Sequence, residues 1–404
     1  MPKISSRVNA TPASPIRKLV PYAEGAKQRG IKVHHLNIGQ PDIKTPIHAV
    51  DIMRQANYDI IEYTHSAGTE SYRNALSKFY AQYDIELGAQ EMIVTNGGSE
   101  ALFFAVLACA DAGEEIIIPE PFYANYNGFA QSTDARIVAV PTTIENNFAL
   151  PTAADFEKVI TPRTRAIIIC NPGNPTGKIY SRAELEAISA LVKKHDLYLI
   201  ADEVYRDFCY DGLKHISIME IEGMEEHAIM IDSISKRYSA CGARIGLIAT
   251  KNKALYTALM KLAQARLSPS SVTQILAEAL VSTPQSYFEE VQKEYDLRRN
   301  IIINRLSKMK GVRYSYPQGA FYLIAELPVE DADEFAQWLL EKFELNGETV
   351  MVAPASGFYA TPGSGKKEIR IAYVLEQADL EASMNCLEQA LATYPKTIYT
   401  TTIA

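Results

Sequence analysis

An α/β architecture is the fold class this sequence predicts: a mostly parallel seven-stranded sheet sandwiched by helices, with a smaller α+β domain beside it. Three observations predict it. Up to about residue 250, helical patterns alternate with seven short, apolar, β-branched runs. Buried runs separated by helices read as parallel strands covered on both faces. The chain has 404 residues, more than one hydrophobic core serves. Beyond residue 250 the pattern turns to long helices and then to a mixture of strands and helices.

Taken in order, residues 1–44 are rich in Pro, Lys and polar side chains and end in the turn-like Gly39-Gln40-Pro41-Asp42. The seven predicted strands are Met92–Thr95, Glu115–Pro119, Arg136–Val140, Ala166–Cys170, Leu197–Ala201, Ile229–Asp232 and Ile245–Ala249. Helices are expected over Lys253–Leu267 and Pro284–Lys310. In the tail, strands are expected near Phe321–Glu326 and Glu368–Val374, and helices near Ala332–Phe343 and Ala378–Thr393. The division this implies is a large domain over 45–285 and a small domain built from 1–44 and 286–404. In an open parallel sheet, ligands gather at the carboxyl ends of the strands. Four polar clusters fall there: Thr95–Ser99, Asn171–Gly177, Asp202–Tyr205 and Asp232–Lys236.

The formal net charge is −8 with no block rich in Lys and Arg, which argues against a nucleic-acid surface or attraction to anionic lipid. Five scattered cysteines with no C-x-x-C pair support neither a disulfide framework nor a zinc site, and fit a reducing compartment. The polar stretch Met1–Ala13 lacks the apolar core of a signal peptide, and the longest apolar run, Ala101–Ala110, is about half of what a membrane span needs. A cytoplasmic protein is expected.

Ser233-Ile234-Ser235-Lys236, with Arg244 eight residues after the lysine, suits an anionic ligand that carries an aldehyde. The serines bond phosphate oxygens, Arg244 grips phosphate through its planar fork, and a lysine amine forms an imine with a carbonyl. Standing alone, Lys236 reads more readily as a solvated surface lysine. Asp202 and Tyr205 follow an apolar strand; a carboxylate there calls for a cation, though a helix N-cap is the plainer alternative. Gly97-Gly98-Ser99-Glu100 opens a helix whose first-turn N–H groups can bind phosphate, or is an ordinary strand–helix turn. Neither a Walker A pattern nor G-x-G-x-x-G is present, since Ala360 stands where the glycine before Gly365-Lys366 would be.

In order and spacing these segments resemble the fold-type I pyridoxal-phosphate aminotransferases, specifically the class I/II family that includes aspartate aminotransferase. The resemblance runs from Gly39-Gln40-Pro41-Asp42 to Glu368-Ile369-Arg370-Ile371. It rests on S-x-S-K with its later G-x-R-x-G, on N-P-x-N-P-T-G, and on D-E-x-Y. It implies pyridoxal 5'-phosphate as cofactor, with Lys236 as the Schiff-base lysine. Asp202 would pair with the pyridine nitrogen, Tyr205 and Asn174 would donate to the ring 3-oxygen, and Tyr123 would stack on the ring. Gly97, Gly98, Ser99, Ser233, Ser235 and Arg244 would form the phosphate cup. Tyr63, in Tyr63-Thr64-(x)3-Gly68, would reach the phosphate of the neighbouring subunit, which implies a homodimer. Arg370 would clamp the substrate α-carboxylate, with Gly39 touching the same group and Asn174 beside it.

Two positions depart from the family's aspartate-specific pattern. Tyr123 stands where tryptophan is usual, and Ser99 stands where one bacterial subgroup has a lysine for the distal carboxylate. Arg266 is the candidate to replace that charge; a surface arginine at a helix end is the alternative. The resemblance thus implies a ping-pong transfer from an L-amino acid, aspartate first, to 2-oxoglutarate. Alanine, aromatic amino acids and methionine stay open as donors, and so does a β-lyase on the same scaffold. A regulator with a fused DNA-binding helix pair is disfavoured because only about forty residues precede the sheet.

Overall fold

The computed structural model describes residues 2–57 and 59–398, so the outermost residues of the expected small domain, Met1 and 399–404, lie outside the described residues. Thirteen strands are described: β1 (Lys32–His35), β2 (Met92–Thr95), β3 (Glu115–Glu120), β4 (Arg136–Pro141), β5 (Thr164–Cys170), β6 (Tyr198–Asp202), β7 (Ala228–Ser233), β8 (Gly246–Ala249), β9 (Arg313–Tyr314), β10 (Tyr322–Glu326), β11 (Glu348–Met351), β12 (Ala353–Pro354) and β13 (Glu368–Ala372). Each of the seven predicted sheet strands is present, and together they form one sheet in the order β2-β8-β7-β6-β5-β3-β4. Pairing is parallel from β7 through β4, whereas β8 runs antiparallel to both of its neighbours.

Period-two alternation explains why these strands are apolar without a break. Ile116, Ile118, Ile168 and Ile200 enter one core cluster, while Ile117, Ile167, Ile169 and Leu199 enter another. Both faces are therefore covered, and each fully buried isoleucine contributes roughly 1.5–3 kcal/mol relative to exposure.

The reversal of β8 matters for the site. Strands β2, β5, β6 and β7 end at the same edge, at Thr95, Cys170, Asp202 and Ser233, and β8 begins there, with Gly246 opposite both Thr95 and Ser233. The residues just before β8, Arg244 among them, are thereby delivered to the edge where the other strands finish. Gly246 is required by close approach: a Cβ there would stand 2.3 Å from the carbonyl carbon of Gly97 and 2.5 Å from the nitrogen of Gly98.

A second body of structure carries a four-stranded sheet, β12-β13-β10-β9, and a two-stranded parallel pair of β1 with β11. Its core cluster joins residues from Leu19 to Leu36 with residues from Val291 to Tyr394. The expected tail elements are present as β10, β13 and the helices Ala332–Glu341 and Gln377–Thr393. Several elements escaped the sequence. Strand β1 is four residues long and pairs only with β11, which is 316 positions away at Lys32 and Glu348. The helix Ser271–Leu280 was hidden by Ser268-Pro269-Ser270, which reads as a loop; Ser270 is in fact its cap, accepting from the Thr273 N–H.

Candidate active site

One end of the site is built from short local turns. Gly97, with φ +80°, precedes the helix Gly98–Cys109, whose first N–H groups have no intrahelical acceptor. Facing it is Arg244, in the left-handed region at φ 55°. Its Nη1 donates to the Cys241 carbonyl at 3.0 Å and its Nη2 to the Asn96 carbonyl at 3.3 Å. A Cβ on residue 97 would stand 2.2 Å from Nη2, so the glycine lets the guanidinium lie against the backbone. From the far side comes the turn after β7, where the Ser233 hydroxyl accepts from the Ser235 N–H at 3.3 Å. Gly97, Gly98, Ser99, Ser233, Ser235 and Arg244 therefore meet around one spot rich in N–H, hydroxyl and guanidinium donors. That chemistry suits a phosphate.

At the centre Asp202, Tyr205 and Asn174 are buried, and Lys236 and Tyr123 half-buried. The Lys236 amine donates to the Gly39 carbonyl at 2.7 Å and stands 3.8 Å from the Cys241 sulfur. Burial lowers its pKa; the nearby Cys241 opposes that fall, and the charges of Arg370 and Arg244 add to it. Asp202, the last residue of β6, accepts from the Tyr126 hydroxyl at 2.8 Å and, weakly, from the Val204 N–H at 3.5 Å. Burial pushes this carboxyl up to about 6, while the Tyr126 hydrogen bond pulls it down. Among the described residues no cation pairs with it. A buried carboxylate without a counter-charge is unfavourable and suits a ligand that brings a protonated nitrogen. The Tyr205 hydroxyl lies 3.1 Å from that of Tyr322 and accepts from Asn174 Nδ2 at 3.4 Å. Tyr123 stands edge-on to Tyr126, with ring centroids 5.5 Å apart, and its hydroxyl accepts from Asn125 Nδ2 at 2.7 Å.

The other end is assembled from far-apart segments. Arg370, on β13, is 1% exposed. Its Nη1 donates to Asn174 Oδ1 at 3.1 Å and its Nη2 to the Asn37 carbonyl at 2.5 Å. The rings of Tyr322 and Phe358 lie 4.5 and 5.0 Å from its central carbon. Among the described residues its Nε has no partner. A buried arginine with an idle donor, lowered in pKa by desolvation, is prepared for a carboxylate. Gly39 passes beside it; a Cβ there would lie 1.7 Å from the Tyr322 hydroxyl oxygen.

Two predicted residues stand apart. Tyr63 is 80% exposed, and no contact among the described residues joins it to the cluster in its own chain. Arg266 is engaged elsewhere: its Nη1 donates to Glu100 at 3.0 Å, and its Nη2 to the Ser66 carbonyl at 2.9 Å and the Val94 carbonyl at 3.3 Å. Those commitments tie both Nη atoms to the start of the helix Gly98–Cys109 and leave only the buried Nε without a partner among the described residues, which weighs against Arg266 as the distal-carboxylate residue. The sequence reading also missed Tyr126, Asn37, Tyr322, Phe358 and Cys241. Tyr126 had a signal, lying in the same aromatic stretch as Tyr123; the others are brought in by tertiary packing. No group of His, Cys, Asp and Glu that could hold a metal ion occurs among the described residues.

Comparisons agree on the family. The model of the family described as aminotransferase class I and II matches residues 31–386. The chain is 30% identical over 399 residues to an aspartate aminotransferase of Bacillus subtilis, covering 96% of this chain and 97% of that one. It is 30% identical over 395 residues to aromatic-amino-acid aminotransferase 2 of Thermococcus litoralis, covering 96% and 98%. The solved alanine aminotransferase of Pyrococcus furiosus superposes with a TM-score of 0.88 at 30% identity, covering 96% of this chain and 99% of that one.

Proposed function

This chain belongs to the class I and II aminotransferases, and on that premise we propose that it passes the amino group of an L-amino acid, aspartate first, to 2-oxoglutarate with pyridoxal 5'-phosphate as cofactor. One juxtaposition carries the proposal. The half-buried Lys236 amine lies within electrostatic reach of Arg370, a buried arginine whose Nε has no partner among the described residues, and Arg370 and the buried carboxylate of Asp202, which lacks a cation, both act on Tyr123. When bound, the cofactor supplies the aldehyde that takes the amino group and the ring that absorbs the electron pair released at the substrate's α-carbon.

The chain's residues divide the remaining work. The N–H groups of Gly97, Gly98 and Ser99, the hydroxyls of Ser233 and Ser235, and Arg244 would hold the phosphate. Asp202 would keep the pyridine nitrogen protonated, and Tyr123 would cover one ring face. Asn174 and Tyr205 would donate to the ring 3-oxygen. Lys236 would carry the cofactor covalently at rest and, once displaced by substrate, move a proton at its Nζ. A lowered lysine pKa supports that task, because the amine must be neutral to accept the proton. Arg370 would grip the α-carboxylate, beside Gly39 and Asn174.

Further parts of the proposal rest on support of the same kind. The division at 45–285 is supported by a core that joins residues from Leu19 to Leu36 with residues from Val291 to Tyr394, with Cys170, Tyr205, Phe208 and Tyr210 of the large domain packed into it. A homodimer that lends Tyr63 to the neighbouring site is supported by that tyrosine's exposure beside the exposed Ile60 and Ile61. A cytoplasmic location is supported by five free cysteines; among the described residues no helix is long and apolar enough to cross a membrane.

The relatives' names span aspartate, aromatic amino acids and alanine, and those donors and methionine are the alternatives, with a β-lyase as the other reaction. Initial rates for a panel of amino donors against 2-oxoglutarate test all of these. Glutamate is expected to accumulate in step with donor consumption, fastest with aspartate. Pyruvate and ammonia without glutamate would replace the proposal with a lyase.

A further inference from the structure

Burial and the charge of Asp202 raise the pKa of the Tyr123 phenol, and three arginines, Arg370, Arg244 and Arg17, lie close enough to oppose that rise. The first two have work in the reading above. The third has none. Arg17 is exposed, and among the described residues its guanidinium has no hydrogen-bond or ion-pair partner. Its neighbour Lys18, by contrast, is paired with Asp333.

What places the segment bearing Arg17 beside Tyr123 and the Arg370 clamp is packing and hydrogen bonding of its neighbours. The N–H groups of Arg17 and Lys18 both donate to the Ser14 carbonyl, at 3.1 and 3.0 Å, closing a tight turn. Pro15 seats against Gly357, where a Cβ would stand 2.6 Å from the proline ring. Ile16 packs on the small cluster that contains Phe358 and Ala124, the residue next to Tyr123. The Ile16 carbonyl accepts from Asn37 Nδ2 at 2.9 Å, and the carbonyl of that same Asn37 holds Arg370. One asparagine thus ties the turn bearing Arg17 to the buried clamp. On a chain of net charge −8, an unpaired arginine at that place is a local attractor for an anionic substrate.

We propose that Arg17 determines specificity by binding the distal carboxylate of a dicarboxylic amino acid or 2-oxo acid, giving with Arg370 a two-point grip on the substrate. This rests on the aminotransferase reading and fills the place that Arg266, tied to Glu100, leaves vacant. A planar fork free of protein acceptors can take a carboxylate bidentately, which an ammonium group does poorly.

The test compares the cofactor-loaded wild type with Arg17→Gln and Arg17→Lys in single half-reactions, each donor supplied without any 2-oxo acid. The ratio of kcat/KM for aspartate to that for alanine or tyrosine is expected to fall about 10- to 50-fold in Arg17→Gln and to recover in part in Arg17→Lys. Calorimetry with maleate, an unreactive dicarboxylate, is expected to show affinity weakened by a similar factor. An unchanged ratio with unchanged maleate affinity overturns the proposal, as does an equal loss for every donor. If the wild type transfers nitrogen from no donor, the aminotransferase reading falls, and the maleate titration alone then decides whether Arg17 binds a dicarboxylate.

Discussion

The two ends of the site are built by opposite means. The donor-rich end around Arg244 comes from turns at neighbouring strand ends and consists mainly of backbone N–H groups, small hydroxyls and glycines. The end around Arg370 is buried and held by partners 333 and 196 positions away, Asn37 and Asn174. A phosphate carries several oxygens and is met well by local backbone geometry, which restricts residue types and so leaves a motif. A carboxylate clamp needs one desolvated cation held rigidly, and the fold can supply its supports from anywhere.

Lys236 lies where the two ends meet, and replacing it gives the largest expected effect. Lys236→Ala is expected to lower kcat by about 10⁴-fold or more, since the proton shuttle and the covalent anchor go together. Cofactor should still bind, because the donors of the Arg244 end are untouched; dialysis followed by absorbance at the cofactor's band measures it. Complete loss of binding would show that the two ends are not separable. Arg370→Lys sharpens the contrast from the other side. Here kcat/KM is expected to fall by about 1.5–3 kcal/mol, or roughly 10- to 150-fold, with cofactor affinity unchanged.

The same contrast governs what could be read in advance. The seven sheet strands were legible because both faces are buried, so each strand appears as an unbroken apolar run. Gly97 and Gly246, which flank the segments bearing Ser99 and Arg244, were legible because close approach to the Arg244 guanidinium and to the Gly97–Gly98 backbone demands glycine there. Arg370 was legible only through the resemblance; nothing local distinguishes it from any arginine on a strand. Tyr322 and Phe358, which sandwich it, were invisible because their roles exist only after β10 and the segment near residue 358 pack together. Arg266 was ambiguous because a helix-end arginine looks alike in sequence whether it points at a ligand or at Glu100.

If the Arg244 end depends on backbone approach, adding one methyl group there should damage it. Gly246→Ala would place a Cβ 2.3 Å from the Gly97 carbonyl carbon, a contact with backbone that no rotamer relieves. A loss of about 2–3 kcal/mol, shared between stability and phosphate affinity, is expected. Thermal melting with and without inorganic phosphate apportions it. A full-strength phosphate shift in the variant would mean that the cup tolerates a displaced backbone.

Tyr126→Phe should have the smallest effect, and its signature is the pH at which it appears. In the cofactor-free protein, burial holds the Asp202 carboxyl at about 6, above its ordinary 3.8, so folding favours the protonated form. The resulting stability is full below about 3.8 and is lost as pH rises through 6, because above that pH the fold must carry a buried carboxylate. The Tyr126 hydroxyl, 2.8 Å from Oδ2, offsets part of that cost by donating to the charged form. Removing the hydroxyl should raise the carboxyl's pKa by about one further unit, equivalent to about 1.5 kcal/mol. Melting curves of the two cofactor-free proteins should therefore lie close together at pH 5 and separate at pH 8, the variant being the less stable. Loading with pyridoxal phosphate should shrink the pH 8 gap, since a protonated ring nitrogen would supply the counter-charge that Asp202 lacks. A gap of equal size at both pH values would mean that the Tyr126 hydroxyl stabilises the fold through a contact independent of the Asp202 charge, such as the one with Cys170.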